Sequence, residues 1–175
     1  MTNSLHLESL NVTATNVTLP MGLTVDEVVI ASGAVDAELK PFAMNLAKPA
    51  NATFRVSAAN VAKLLEEKSP GGLKGFTVTI SDGLVIVETT AKVIVEIRVA
   101  TACTLRIDGG KRLFVDLDKV SVPGPMARNM IEQQLAKVNP ILDLNEFAPS
   151  VTMESVTAED GYITLKGKAD LPQSG

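Results

Sequence analysis

No tryptophan occurs in this chain of 175 residues, and aromatic side chains make up only 3% of it. Almost nothing is available to stack on unpaired bases. No Lys/Arg stretch is dense enough to track a phosphate backbone, and the formal net charge is −4. Together these absences exclude a nucleic-acid partner. A single cysteine, Cys103, excludes an internal disulfide framework and leaves the redox compartment open. With His6 as the one histidine, any Ser–His or Cys–His arrangement depends on it. A hydrolase using His6 is therefore one rival reading. No His, Cys and carboxylate cluster has metal-ligand spacing, and PGGLKG at 70–75 lacks the spacing of a phosphate loop and the strand before it. No metal or cofactor is expected. The paired acids Asp26–Glu27, Glu66–Glu67, Asp116/Asp118 and Glu159–Asp160 read as solvated faces and a turn.

No window reaches about 18 uninterrupted apolar residues, the length a membrane-spanning helix needs. The N-terminal MTNSLHLESL has neither a charged n-region nor an apolar h-region. If Met1 is the native start the chain is expected in the cytoplasm; if a leader was removed, in the cell envelope. Oligomeric state is left open.

What the sequence does contain is aliphatic: 46% of residues are apolar, and six are Met, a residue suited to adaptable apolar space. Alternation dominates the pattern. Residues 5–20 and 22–39 read as two long strands of a hairpin, parted by Pro20–Met21–Gly22. NATFRV (51–56) reads as a strand leading into the helix SAANVAKLLEEK, with Ser57 as N-cap. From Val85 to Ile107 the odd positions are apolar except at Thr89 and Thr101, whereas Glu88, Lys92, Glu96, Arg98 and Arg106 fall on even ones. That is period-two patterning kept in phase throughout, compatible with a tight turn near Thr89–Lys92 that no Gly or Pro announces. SDG (81–83), DGG (108–110) and EDG (159–161) signal successive hairpins. A second helix is predicted from Pro125 to Val138, stopped by Asn139–Pro140, with Met126, Met130, Ile131, Leu135 and Val138 on one face.

These elements predict one α+β domain over residues 1–175, with a polar tail at 170–175. Its architecture is a long, highly curved antiparallel sheet, a half-barrel, wrapped around one principal helix with a second, shorter helix. Strands of 12–16 residues span about 40–50 Å at roughly 3.3 Å per residue, whereas the principal helix spans about 20 Å. One helix cannot cover such an apolar face. The rest curls on itself, meets a second molecule, or stays open to an apolar ligand.

The run VSVPGPMARNMIEQQLAKVNPILDLNEFAPSVTMESVTAEDGYITLKGKA resembles the LmeA-like family of bacterial phospholipid-binding proteins. The resemblance rests on a helix ending in VNPILDL, then the strand VTMESVTAEDG, then the closing strand YITLKGKA. It implies a tubular lipid-binding, BPI-like type of fold with a cavity for acyl chains, and no catalytic residue. The cavity is then expected to be lined by Val93, Val95, Ile97, Val99, Met126, Met130, Ile131, Leu135, Ile141 and Leu142. Lys111, Arg112, Arg128 and Lys137 are the head-group candidates. The expected partner is a phospholipid or fatty-acyl ligand, with transient contact to a membrane surface. KVNPILDLNEF (137–147) carries four large apolar residues after the helix; it forms either a lipid entrance or a stopper sealing the core. The alternative function is a β-rich interaction domain with a filled core.

Overall fold

The alternating pattern does resolve into strands. A computed structural model describes residues 4–39, 42–69, 73–92, 96–121, 125–145 and 150–170. In chain order the elements are β1 (Ser4–Leu7), β2 (Leu10–Thr18), β3 (Thr24–Ser32), β4 (Val35–Leu39), β5 (Phe42–Leu46), β6 (Ala50–Ser57) and α1 (Ala58–Lys68). There follow β7 (Leu73–Ser81), β8 (Leu84–Lys92), β9 (Glu96–Asp108), β10 (Arg112–Ser121) and α2 (Pro125–Val138). The chain closes with β11 (Leu142–Asp143), β12 (Ser150–Glu159) and β13 (Tyr162–Asp170).

Among the described residues the strands form three antiparallel sheets: β1-β4-β5, β11-β10-β9-β8-β7 and β12-β13-β6-β3-β2. The sheet from β7 to β11 is a curled half-barrel, and with two helices the fold is α+β. The predicted limits of both helices hold. Ser57 caps α1, its Oγ accepting from the Asn60 amide at 3.3 Å, and Val61 and Leu64 are buried.

Two expectations need correction. The segments 5–20 and 22–39 are not two continuous strands: the first breaks at Glu8–Ser9 and the second at Gly33–Ala34. β2 then pairs with β3, while β1 pairs with β4 in a different sheet. As a result most strands have nine or ten residues and β9, at 13, is the longest described. Residues Thr89–Lys92 are also strand and not a turn, because β8 stays paired with β9 out to Lys92↔Glu96.

The half-barrel is therefore covered by more than helices. β12 lies against β9, β8 and β7, burying Val151 and Met153. The three Asp-Gly turns stitch the two larger sheets together through backbone groups. Gly83 N donates to Ala158 O at 2.9 Å, Gly161 N to Ile80 O at 2.9 Å, and Met153 N to Gly110 O at 2.7 Å. Asp82 and Asp160 take φ of 54° and 52°, the left-handed geometry that Asp tolerates better than most residues. The main core at this junction includes Phe54, Leu23, Ile80, Leu113, Ile163 and Leu165, each at most 2% exposed. Burying each such side chain contributes about 1.5–3 kcal/mol before ordering costs.

Candidate functional site

A strand places residues i, i+2 and i+4 on one face, and a helix places i, i+4 and i+7 on one stripe. In β9 this rule puts Val99, Thr101 and Cys103 on the inner face of the half-barrel, opposite Thr89, Val87 and Val85 of β8. In α2 it aligns Ile131, Leu135 and Val138. These two surfaces, with Leu73 and Phe76 of β7 and Leu65 and Ser69 at the end of α1, enclose an apolar cavity that also touches Gln134. The room inside it for the centre of a water-sized sphere is about 40 Å³; all atom-free space, with the open solvent at its mouth, comes to about 480 Å³.

The wall is apolar although it contains two threonines. Thr89 Oγ1 donates to Lys74 O at 3.1 Å, and Thr101 Oγ1 donates to Val87 O at 3.2 Å. Both hydroxyls are thus spent on neighbouring strands. Among the described residues no buried side-chain nitrogen or oxygen lacks a partner. Burial pushes the Cys103 thiol up to about 11 from an ordinary 9.0, against a weaker opposing effect of its hydrogen bond to Thr101. It is a neutral thiol at pH 7 and presents an apolar surface.

Of the lining residues expected from sequence, Val99, Ile131 and Leu135 meet at this cavity. Met130 is partly buried in the same small cluster, which joins Leu73, Ala91, Val99 and Ile131. Ile97 is 39% exposed, at the far end of β9. Ile141 and Leu142 are buried in the main core instead, Leu142 completely. Val93, Val95 and the Met126 side chain lie outside the described residues. Sequence reasoning missed Leu73, Phe76, Val87 and Leu65. The stripe that pointed to Val99 continues through Thr101 and Cys103, and pairing β8 to it would have added Val87 and Thr89.

The segment after α2 is an annealed strand. β11 pairs Leu142 with Leu113 and Asp143 with Arg112. Ile141 N donates to Leu113 O at 2.9 Å and Leu144 N to Lys111 O at 2.8 Å. Ile141, Leu142 and Leu144 are at most 3% exposed, so they seal the core beside β10.

The four head-group candidates are not brought together. Lys111 Nζ donates to Val151 O at 2.5 Å and Ser150 Oγ at 3.1 Å, securing the β9–β10 turn to β12. Arg112 stands 4.0 Å from Asp108, and Arg128 pairs with Glu132 at 2.9 Å. Lys137 lines a second hollow, about 440 Å³ with open solvent counted, together with Met21, Leu64, Lys68, Val138, Asn139, Pro140 and Ile141. Val138 belongs to both this hollow and the apolar cavity. A further hollow, about 1050 Å³ with open solvent counted, lies at the Gly33–Ala34 break and is lined by small and polar residues, including Lys48 and Lys168.

A family model described as LmeA-like phospholipid-binding matches residues 1–168. The chain belongs to the LmeA-like phospholipid-binding family. Comparison with curated proteins and with solved structures gives no match. Membership makes a phospholipid the expected class of ligand. No described helix is long and apolar enough to cross a membrane. Among the described residues no group of His, Cys, Asp and Glu is arranged to hold a metal ion.

Proposed function

We propose that this protein binds a phospholipid by admitting an acyl chain between the half-barrel and α2, and releases it chemically unchanged. The observation that carries this reading is the cavity of Val87, Val99, Ile131 and Leu135, whose two buried hydroxyls are already satisfied. A hydrocarbon chain entering it would strand neither threonine hydroxyl. Charged lining groups suited to acid–base work are absent from its wall among the described residues. His6 sits in a different sheet from Cys103 and bonds to Asp36 at 2.6 Å, both exposed, which favours a non-catalytic role.

Energetics favour exchange with a membrane. Each buried methylene contributes about 0.8 kcal/mol, so a chain of about sixteen carbons gains roughly 13 kcal/mol in the protein and a similar amount in a bilayer. Transfer between the two is nearly balanced, and a transient contact with a membrane surface suffices for it. The test is organic extraction of the purified protein followed by mass spectrometry, together with uptake of labelled phospholipid from liposomes. Stoichiometric lipid is expected, and Leu135→Trp, which fills the cavity, should reduce uptake at least several-fold while the protein stays folded. A clean extract with no uptake would instead favour a β-rich interaction domain with a closed core.

A further inference from the structure

The hollow that adjoins the acyl cavity has a chemistry of its own. Lys68 ends α1 and Lys137 lies in the last turn of α2, and both exposed side chains line the same space. Its remaining surface is largely apolar, from Met21, Leu64, Val138 and Ile141. Val138 is shared with the acyl cavity, and Leu64 and Leu65 of α1 face one chamber each, so a single layer of side chains separates the two spaces. An amphiphile has this same order of parts.

The acidic groups nearby form no ion pair with these two lysines among the described residues. Lys63 is matched with Glu67 at 3.8 Å and Arg128 with Glu132, but neither Lys68 nor Lys137 has an ion pair among the described residues. Asp143 lines a further hollow shared with Met21 and Pro140, and its Oδ1 accepts from Asn145 N at 2.9 Å and Nδ2 at 2.7 Å. Lysines in a last helical turn ordinarily offset the macrodipole. Here two helix ends contribute about −0.5 charge each against two ammonium groups, which leaves the lysines a surplus of about one positive charge before the Asp143 carboxylate of the adjoining hollow is counted. One phosphodiester would neutralise it.

We propose that Lys68 and Lys137 together bind the phosphate of an anionic lipid head group while its acyl chain occupies the neighbouring cavity; this rests on the phospholipid-binding reading above. The test compares uptake of labelled phosphatidylglycerol and phosphatidylcholine with matched acyl chains, from vesicles of each lipid. It uses the full chain, its Lys68→Gln/Lys137→Gln variant and a Lys166→Gln surface control, with each single variant as a check on folding by thermal melting. The wild type and K166Q should prefer phosphatidylglycerol, and the double variant should lose about tenfold in its uptake with little change for phosphatidylcholine. Equal uptake of both lipids by wild type and double variant would overturn the assignment and leave the carrier reading standing. Uptake of neither lipid by wild type would overturn both. Titration with inorganic phosphate separates the sources: binding of free phosphate that needs both lysines, without any lipid preference, would also overturn the head-group assignment.

Discussion

Asn139 holds Val115 with both ends of its side-chain amide: Oδ1 accepts from Val115 N at 2.9 Å, and Nδ2 donates to Val115 O at 2.8 Å. The side of β10 away from β9 is where β11 attaches, and Asn139 extends that attachment by imitating one more strand residue. A backbone edge that would otherwise be open is thereby satisfied, and the end of α2 is fixed over the half-barrel. Asn139→Ala removes two hydrogen bonds at a half-buried place. It should cost about 2 kcal/mol, seen as a lower urea midpoint with an unchanged slope. Asn139→Asp should be worse, because a carboxylate oxygen would then face the Val115 carbonyl.

The start of α1 is secured in a related way. Asp26 Oδ2 in β3 accepts from Ser57 N at 2.6 Å and from Asn60 Nδ2 at 3.0 Å. Hydrogen bonds to a charged acceptor contribute about 1.5–3 kcal/mol. Asp26→Ala should lower stability by about that amount, whereas Asp26→Asn, which keeps an acceptor oxygen, should lose roughly half as much. Chemical denaturation of the two variants decides it, and equal losses would show that the carboxylate charge, not the geometry, matters.

How far these features were legible depends on their range along the chain. Helix limits followed from local signals, Ser57 at one start and Pro125 and Asn139–Pro140 at the other helix's two ends. The three Asp-Gly turns marked their hairpins for the same reason. The break at Gly33 carried a signal in the residue itself, but composition on both sides of it is equally β-like, so the split of β3 from β4 was hidden. Packing of β12 on β7, β8 and β9 joins segments far apart in sequence and left no periodic trace. At the site, the odd-position stripe identified Val99 and the helix stripe identified Ile131 and Leu135. The Lys68–Lys137 juxtaposition arises only when two separate helices end at one hollow.

Close approach of β12 and β13 gives another prediction. A Cβ on Gly167 would lie 2.0 Å from Thr152 O and 3.0 Å from Met153 Cα, both backbone atoms, beside the register shift between Met153 and Ser155. Neither neighbour can rotate away. Gly167→Ala should cost at least about 3 kcal/mol or abolish folding. Gly33→Ala, where nothing lies within 4 Å and φ is not positive, should change stability by no more than about 0.5 kcal/mol. Thermal melting of the pair provides the comparison, and similar melting temperatures would refute the clash.

The last prediction concerns pH and Cys103. Its thiol is held up to about 11 in the folded protein against 9.0 when unfolded, chiefly by burial. Between these values the unfolded chain releases a proton that the folded one keeps, so the unfolded state binds fewer protons and stability falls as pH rises. Below pH 9 the full contribution is present; it is lost progressively through about pH 11. A shift of about two pH units corresponds to roughly 2–3 kcal/mol. Wild-type stability should therefore drop by about that much more than that of Cys103→Ala over this range, a difference in which effects common to both proteins cancel. Reaction with iodoacetamide at about pH 8 should be slow in the native protein and fast in urea. Because Cys103 lines the cavity proposed to take the acyl chain, loading with phospholipid should slow native labelling further, and labelling indifferent to lipid would place the bound chain elsewhere.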